Sequence, residues 1–374
     1  MNLPDTVRQF RDLYPASGEP VVWRAPGRVN LIGEHTDYNL GLVLPMAIDL
    51  ACYVTAAPSK DGRLRAYSQQ FQEVVEWRLE DLAAIAPRGH WSDRVAGVVW
   101  VLLRQGIPIN ATDLLIDSEV PLGGGLSSSA ALGVALTLAL SENRPGIDVA
   151  GLARAAEVDT VGLPCGIMDQ FISVKGQPGA AIFLDCRSLQ WHPVPLPRNC
   201  AMVVVNSMVK HELANSAYRT RVAECAEAAK SLGVASLRYA ELSQIDGLDP
   251  VLRRRARHVI TENNRVQEFV DAAMAGDVGG MGRLVTQSHE SLRDDHEVSC
   301  AELDFLVETA LNVEGVVGSR MIGGGFGGST LALLHPGRVE ALQAAVRTRY
   351  REFSGMSPEV QVSRASAGAS RVYP

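Results

Sequence analysis

The sequence predicts two α+β domains with the functional site at their interface. Strand-like and helix-like patterns occur together in both halves, and 374 residues suffice for two cores. A proline-marked stretch, HPVPLPRN over residues 192–199, divides the chain near its middle. With 47% hydrophobic and 21% charged residues, the composition is that of an ordinary globular protein.

From the N-terminus, Asp5 is placed to cap a first helix with Val7, Phe10 and Leu13 along one face. VVWRAPGRVNLIGEH reads as a short strand, a Pro-Gly turn and a second apolar run. LVLPMAIDLACYVTAAPS and GRLRAYSQQF have the β-branched and aromatic content of strands. WSDRVAGVVWVLLRQG is helical, with Ser92 as cap and Gly106 as stop. TDLLIDSE is a strand leading into the loop VPLGGGLSSSA, and SSSAALGVALTLALSEN is a buried helix. VAGLARAAEVDTVG is a helix closed by Gly162 and Pro164. Beyond residue 200, AMVVVNS is a strand, Tyr218 to Gly233 a helix, and two more helices surround TENNRVQEFVDAAMAG and AELDFLVETALN. MIGGGFGGSTLALLHP is a glycine loop feeding an apolar strand, with a tight turn between a helix and that strand as its plainer alternative.

The net charge of −7 argues against a nucleic-acid partner, whose phosphates demand a basic surface. No apolar run reaches the 18 or so residues of a membrane span, and the first residues lack a signal-peptide core. The six cysteines are scattered without a C-x-x-C pair, as in a reduced cytoplasmic protein.

Four stretches carry chemistry. A strand, then G-G-G-L-S-S-S, then a helix suits a phosphate: glycines admit the anion and the helix start supplies free N–H groups. It is neither a Walker A loop nor a nucleophile elbow, and a flexible helix cap is the plainer alternative. GGGFGG, Gly323 to Gly328, contains G-x-G-x-x-G, but a strand follows where a dinucleotide site needs a helix. RAPGRVNLIGEHTDY gathers Arg28, Glu34, His35 and Asp37, which suit sugar hydroxyls, a metal or simply a solvated turn. Asp169, in the apolar run LPCGIMDQFIS, needs a partner; Arg28 is the candidate, as a catalytic or a structural pair.

Together these residues resemble the galactokinase family of GHMP small-molecule kinases. RAPGRVNLIGEHTDYNLGLVLPMAI resembles its signature, VPLGGGLSSSAAL its nucleotide loop and GSRMIGGGFGGSTLALL its third motif; CGIMDQFIS, LDCRSL, HELANSAYRTRVAEC and SLRDDHEVSC also match. The likeness runs from about residue 20 to about residue 335. It implies an N-terminal mixed βα domain over residues 1–200, a ferredoxin-like domain over 201–374, and sugar and ATP in the cleft between. It further implies Asp169 as catalytic base and Arg28 beside the transferred phosphoryl group. Glu34, His35, Thr36, Asp37, Gly166 and Tyr218 would bind galactose. Gly123, Gly124, Gly125, Leu126, Ser127, Ser128 and Ser129 would wrap the ATP phosphates, with Ser68 on the nucleotide side. Ser129 and Glu157 would hold Mg²⁺. The implied partners are small molecules only, and the implied state is a monomer or weak homodimer.

Three positions depart from the family pattern: Ile322 for threonine, Ser329 for cysteine and His296 for tyrosine. A kinase for N-acetylgalactosamine or arabinose is the neighbouring alternative. A non-catalytic sensor of galactose and ATP is the alternative from another class, although the S-S-S-A of the nucleotide loop is intact.

Overall fold

The computed structural model describes residues 2–84, 88–162, 164–210 and 214–373. Helix α1 (Leu3–Leu13) buries Val7 and Phe10, but Asn2 occupies the cap position and Asp5 lies inside the first turn. Strand β1 (Val21–Asn30) runs straight through Pro26-Gly27, where a bulge takes the place of the expected turn. The reason lies in what approaches it. A Cβ on Gly27 would sit 2.7 Å from the Leu126 carbonyl oxygen, and that carbonyl accepts the Arg28 N–H.

Strands β2 (Leu42–Val43), β3 (Pro45–Pro58), β4 (Arg63–Ser68) and β5 (Glu73–Arg78) follow, then α2 (Asp93–Arg104) and β6 (Thr112–Ser118). Gly106, at φ 70°, ends α2 as expected. Next come α3 (Ser128–Leu140), α4 (Val149–Ala156), α5 (Met168–Lys175), β7 (Ala180–Asp185) and β8 (Trp191–Pro195). Helix α3 is buried from Ala130 onward except Leu132, as an all-round apolar helix must be. Helix α4 passes into one π-helical turn, Glu157–Val161, before Gly162 stops it at φ 71°.

Four strands of the remaining chain form an antiparallel sheet. In order along the chain these elements are β9 (Ala201–Lys210), α6 (Ala214–Ser231), α7 (Pro250–Ala275), α8 (Val278–Asp294), α9 (Ala301–Leu311), β10 (Val316–Ile322), β11 (Gly327–Leu334), α10 (Val339–Ser354), β12 (Glu359–Ser363) and β13 (Ser370–Tyr373). The order β10-β11-β9-β12 is that of a ferredoxin-like sheet, its two crossovers being helical. The first half carries a six-stranded sheet, β13-β1-β3-β6-β4-β5, and a three-stranded one, β2-β7-β8. Strand β13 thus returns from the end of the chain to pair with β1.

The GGGFGG loop joins two paired strands, β10 and β11, rather than a helix and a strand. One core fills the space between the six-stranded sheet and its helices. A second core joins β1 and β3 to β9, β10, β11, α7 and α8, and includes Val29, Met46, Val204, Val266 and Ile322. Ile322 is therefore at home in apolar surroundings, where a threonine hydroxyl would need a partner. No helix among the described residues is long and apolar enough to cross a membrane.

Candidate active site

The two glycine loops meet edge to edge above the second core. Ser329, opening β11, donates to the Gly124 carbonyl at 2.5 Å, and a Cβ on Gly323 would lie 3.2 Å from the Gly125 oxygen. Gly123 and Gly125 take φ values of 75° and 73°, open to glycine alone at low cost. Leu126 anchors the loop by burying its side chain in the core. Ser127 caps α3 in a left-handed conformation and turns its hydroxyl to Asp169. Ser128 opens α3, so its neighbours' N–H groups face whatever lies before the helix.

Arg28 reaches this loop from β1. Its Nε and Nη2 hold the two Asp169 oxygens at 2.7 and 2.8 Å, and Nη1 donates to the Gly125 carbonyl at 2.6 Å. The fork is thus fixed on both sides, and Asp169 stands at the start of α5 with 28% of its side chain exposed. Nearby, Ser129 donates to Glu157 Oε1 at 2.6 Å. Arg94 and Gln170 bind the same carboxylate at 2.8 and 2.9 Å.

A cavity of about 230 Å³ opens between these groups and the signature loop. Arg28, Asp169, Glu34, His35, Asp37, Gly166 and Tyr218 line it, with Ser129 and Glu157 also on its wall. Glu34 is 2% exposed, held by the Gly323 N–H at 2.8 Å and by Arg320 at 3.1 Å. Arg320 is wholly buried, and burial pulls it down to about 9, so it remains a cation at neutral pH. Gly166 makes room for Asp37: a Cβ there would lie 2.0 Å from a carboxylate oxygen. Burial, helped by the neighbouring Asp169, pushes Asp37 up to about 6.

Of the expected sugar residues Thr36 is not on the cavity wall, and of the expected nucleotide residues neither Gly123–Ser128 nor Ser68 is. The Thr36 hydroxyl is buried and faces the carbonyls of Gly33 and Leu42, at 2.8 and 2.7 Å, so it shapes the loop instead of lining the pocket. Ser68 is buried at the end of β4, where it accepts the Phe71 N–H at 3.4 Å. It touches a different place. Phe71 and Trp91 stack with centroids 6.0 Å apart and planes 6° apart, beside a second cavity that Arg94 also lines. Sequence reasoning missed this pair, since lone aromatics in separate segments give no local signal. Cys165, Met168, Gln170 and the turn Gly323–Gly325, which also line the first cavity, were not singled out for that role either. Leu163, which begins the run LPCGIMDQFIS, and residues 211–213, which begin the matching stretch HELANSAYRTRVAEC, lie outside the described residues.

A model described as the galactokinase galactose-binding signature matches residues 8–58, and models of the GHMP kinase N-terminal and C-terminal domains match 93–177 and 269–352. A galactokinase of Chloroflexus aggregans is 45% identical over 363 residues, covering 94% of this chain and 93% of that one. A galactokinase of Homo sapiens is 42% identical over 384 residues, covering 98% and 96%. The crystal structure of Lactococcus lactis galactokinase complexed with galactose superposes with a TM-score of 0.93 at 35% identity, covering 99% of this chain and all of that one.

Proposed function

The chain belongs to the galactokinases of the GHMP kinase family, and from that premise we propose how its cleft phosphorylates D-galactose at the anomeric hydroxyl with ATP, giving α-D-galactose 1-phosphate and ADP. The observation that carries the reading is the clamp of Arg28 on Asp169, set between the glycine loop and the EHTD pocket. Galactose occupies the cavity, its hydroxyls meeting the acceptor oxygens of Glu34 and Asp37, His35 and the Tyr218 face. Its anomeric oxygen faces Asp169. The ATP phosphates lie along Gly123–Ser129 at the start of α3. The base rests on the Phe71 and Trp91 faces, with Ser68 steadying Phe71 from behind.

Phosphoryl transfer passes through a loose transition state that needs alignment and charge neutralisation more than a strong base. Asp169 takes the hydroxyl proton late, and Arg28 orients it while countering charge on the phosphoryl oxygens. Ser129 and Glu157, an adjacent hydroxyl and carboxylate, are oxygen donors of the kind Mg²⁺ takes and would hold it. When bound, the ion would supply positive charge against the phosphate oxygens. The six unpaired thiols favour a cytoplasmic setting, and the ligands are small molecules met by a monomer or weak homodimer. The division near residue 200 is supported by the four-stranded sheet, which starts at Ala201.

Measured kcat/KM on galactose, N-acetylgalactosamine and arabinose tests the substrate; higher efficiency on arabinose would overturn it. Glu34→Gln is expected to raise galactose KM about tenfold with little change in kcat, since it removes a binding acceptor rather than a reacting group. An unchanged KM would remove Glu34 from the pocket. Both Glu34→Gln and Glu34→Ala leave Arg320 with Glu262, 3.9 Å away, as its nearest carboxylate, and Glu34→Ala also removes the oxygen that Arg320 and the Gly323 N–H meet. Thermal unfolding of Glu34→Ala should then show a loss of about 3 kcal/mol.

Asp37 predicts a pH effect. Below about pH 6 its carboxyl is protonated and no longer an acceptor-only group, so galactose KM should rise as pH falls through 6. Asp37→Asn should abolish that limb of the profile; a limb that survives in the variant belongs to another group.

A further inference from the structure

Beneath the cavity, three imidazoles from distant segments meet. His296 lies between His35 of the signature loop and His258 of α7, with ring centroids 4.5 Å from each. All three are buried. Burial pulls His35 down to about 3, His258 to about 4 and His296 well below its usual value. At neutral pH each ring therefore has one N–H and one lone pair, and its partners decide which nitrogen has which. For His258 the choice is fixed. Nε2 faces the Glu34 carbonyl at 3.1 Å, which only accepts, so Nδ1 accepts from Ser291 at 2.9 Å.

The other two rings share the Tyr38 phenol, 2.8 Å from His35 Nδ1 and 3.2 Å from His296 Nε2. Burial keeps that phenol protonated, and its one O–H donates once. Either His296 donates to Tyr38 and Tyr38 donates to His35, or both bonds run the other way. His296 Nδ1 decides between them, because it is buried with no partner among the described residues. The first arrangement leaves a lone pair there, the second an N–H. Each arrangement leaves one N–H unbonded, on His35 Nε2 in the first and on His296 Nδ1 in the second. His35 is on the cavity wall, where a ligand meets it and the Gly324 backbone favours its proton, whereas His296 is enclosed, so the second is the costlier. The Cys225 thiol also hydrogen-bonds the phenol, but sulfur is a weak acceptor and does not displace an imidazole nitrogen.

We propose that His296 is a positioning residue for sugar recognition: through Tyr38 it holds His35 in the Nε2–H tautomer, presenting an N–H donor to a sugar hydroxyl in the cavity. His35 Nε2 is buried, makes no hydrogen bond of good geometry among the described residues, and belongs to a ring on the cavity wall. The Gly324 backbone, on the same wall, interacts with that ring and favours a proton on it. A donor here complements Glu34 and Asp37, which accept. The sugar must then offer a hydroxyl oxygen to His35 while donating to the carboxylates, and an epimer that misplaces that hydroxyl leaves a buried N–H unpaired. Only the identity of the ligand rests on the galactose reading; the tautomer does not.

The test is long-range ¹H–¹⁵N correlation on the ¹⁵N-histidine-labelled full chain without ligand, which reads each tautomer directly. Wild type should show His35 and His296 as Nε2–H. His296→Leu and Tyr38→Phe should each move the His35 signals toward a mixture. His296→Gln, whose amide reaches the Nε2 position, should restore them. In His296→Leu, galactose KM should rise about tenfold with kcat within about threefold and ATP KM unchanged, and His296→Gln should recover most of the loss. A His35 found as Nδ1–H overturns the relay, as do His35 signals and a galactose KM that both variants leave unchanged. If the chain does not phosphorylate galactose, the ligand-free spectra still decide the relay.

Discussion

Asp169→Asn should lower kcat by about 10²–10⁴ while galactose KM shifts by less than about threefold. The asparagine keeps the shape of the carboxylate and one oxygen for the Arg28 fork, so the sugar pocket persists. It cannot take up the hydroxyl proton. The late proton transfer of a loose transition state limits the damage, which is why the loss falls short of abolition. A second signature accompanies it. Asp169 is one of the groups holding Asp37 up near 6, so removing its charge should lower the pH at which galactose KM rises. Steady-state kinetics on the variant across pH read both effects. Near wild-type turnover would remove Asp169 as the base.

The second large effect is acid lability. His35, His258 and His296 are neutral in the fold and titrate near 6.5 once unfolded, so the unfolded chain binds protons that the fold does not. Their contribution is complete above pH 6.5 and falls away as pH drops toward 4. By pH 5 each has lost about 2 kcal/mol, or about 6 kcal/mol together. Asp37 works in the opposite direction: with its folded carboxyl held near 6, the fold gains about 1 kcal/mol by pH 5. A net loss of about 5 kcal/mol approaches the whole stability of many domains. Urea unfolding at pH 7 and pH 5 measures it. His296→Leu should remove about a third of the histidine part of the acid loss; an unchanged loss would mean that His296 is not held neutral.

What the residues alone could convey follows their spacing. Helix α3 is legible because ten of its thirteen residues are Ala, Leu or Ser and carry one signal, and the Arg28–Asp169 pair because an aspartate among Ile, Met and Phe demands a cation. Pro26-Gly27 misled, since a Pro-Gly pair is a turn signal locally and becomes a bulge only when another loop presses on the strand. Gly323–Gly328 reads as following a helix because β10, with Arg320 and Ser319 buried in it, does not look like a core strand. Thr36 sits among cavity-lining residues in the chain, but its hydroxyl points the other way. The Phe71–Trp91 stack and the histidine trio are assembled from separated segments, and no pattern along a single chain encodes such a meeting.

The central claim is that this cleft moves a phosphoryl group from ATP to C1 of galactose. Proton-coupled ³¹P NMR of the reaction with ATP, Mg²⁺ and galactose tests it most directly. The expected result is a new phosphomonoester signal split by the anomeric proton of α-galactose 1-phosphate, growing in step with ADP. A phosphate on another carbon, or a folded protein that binds both ligands and forms no sugar phosphate, would contradict it.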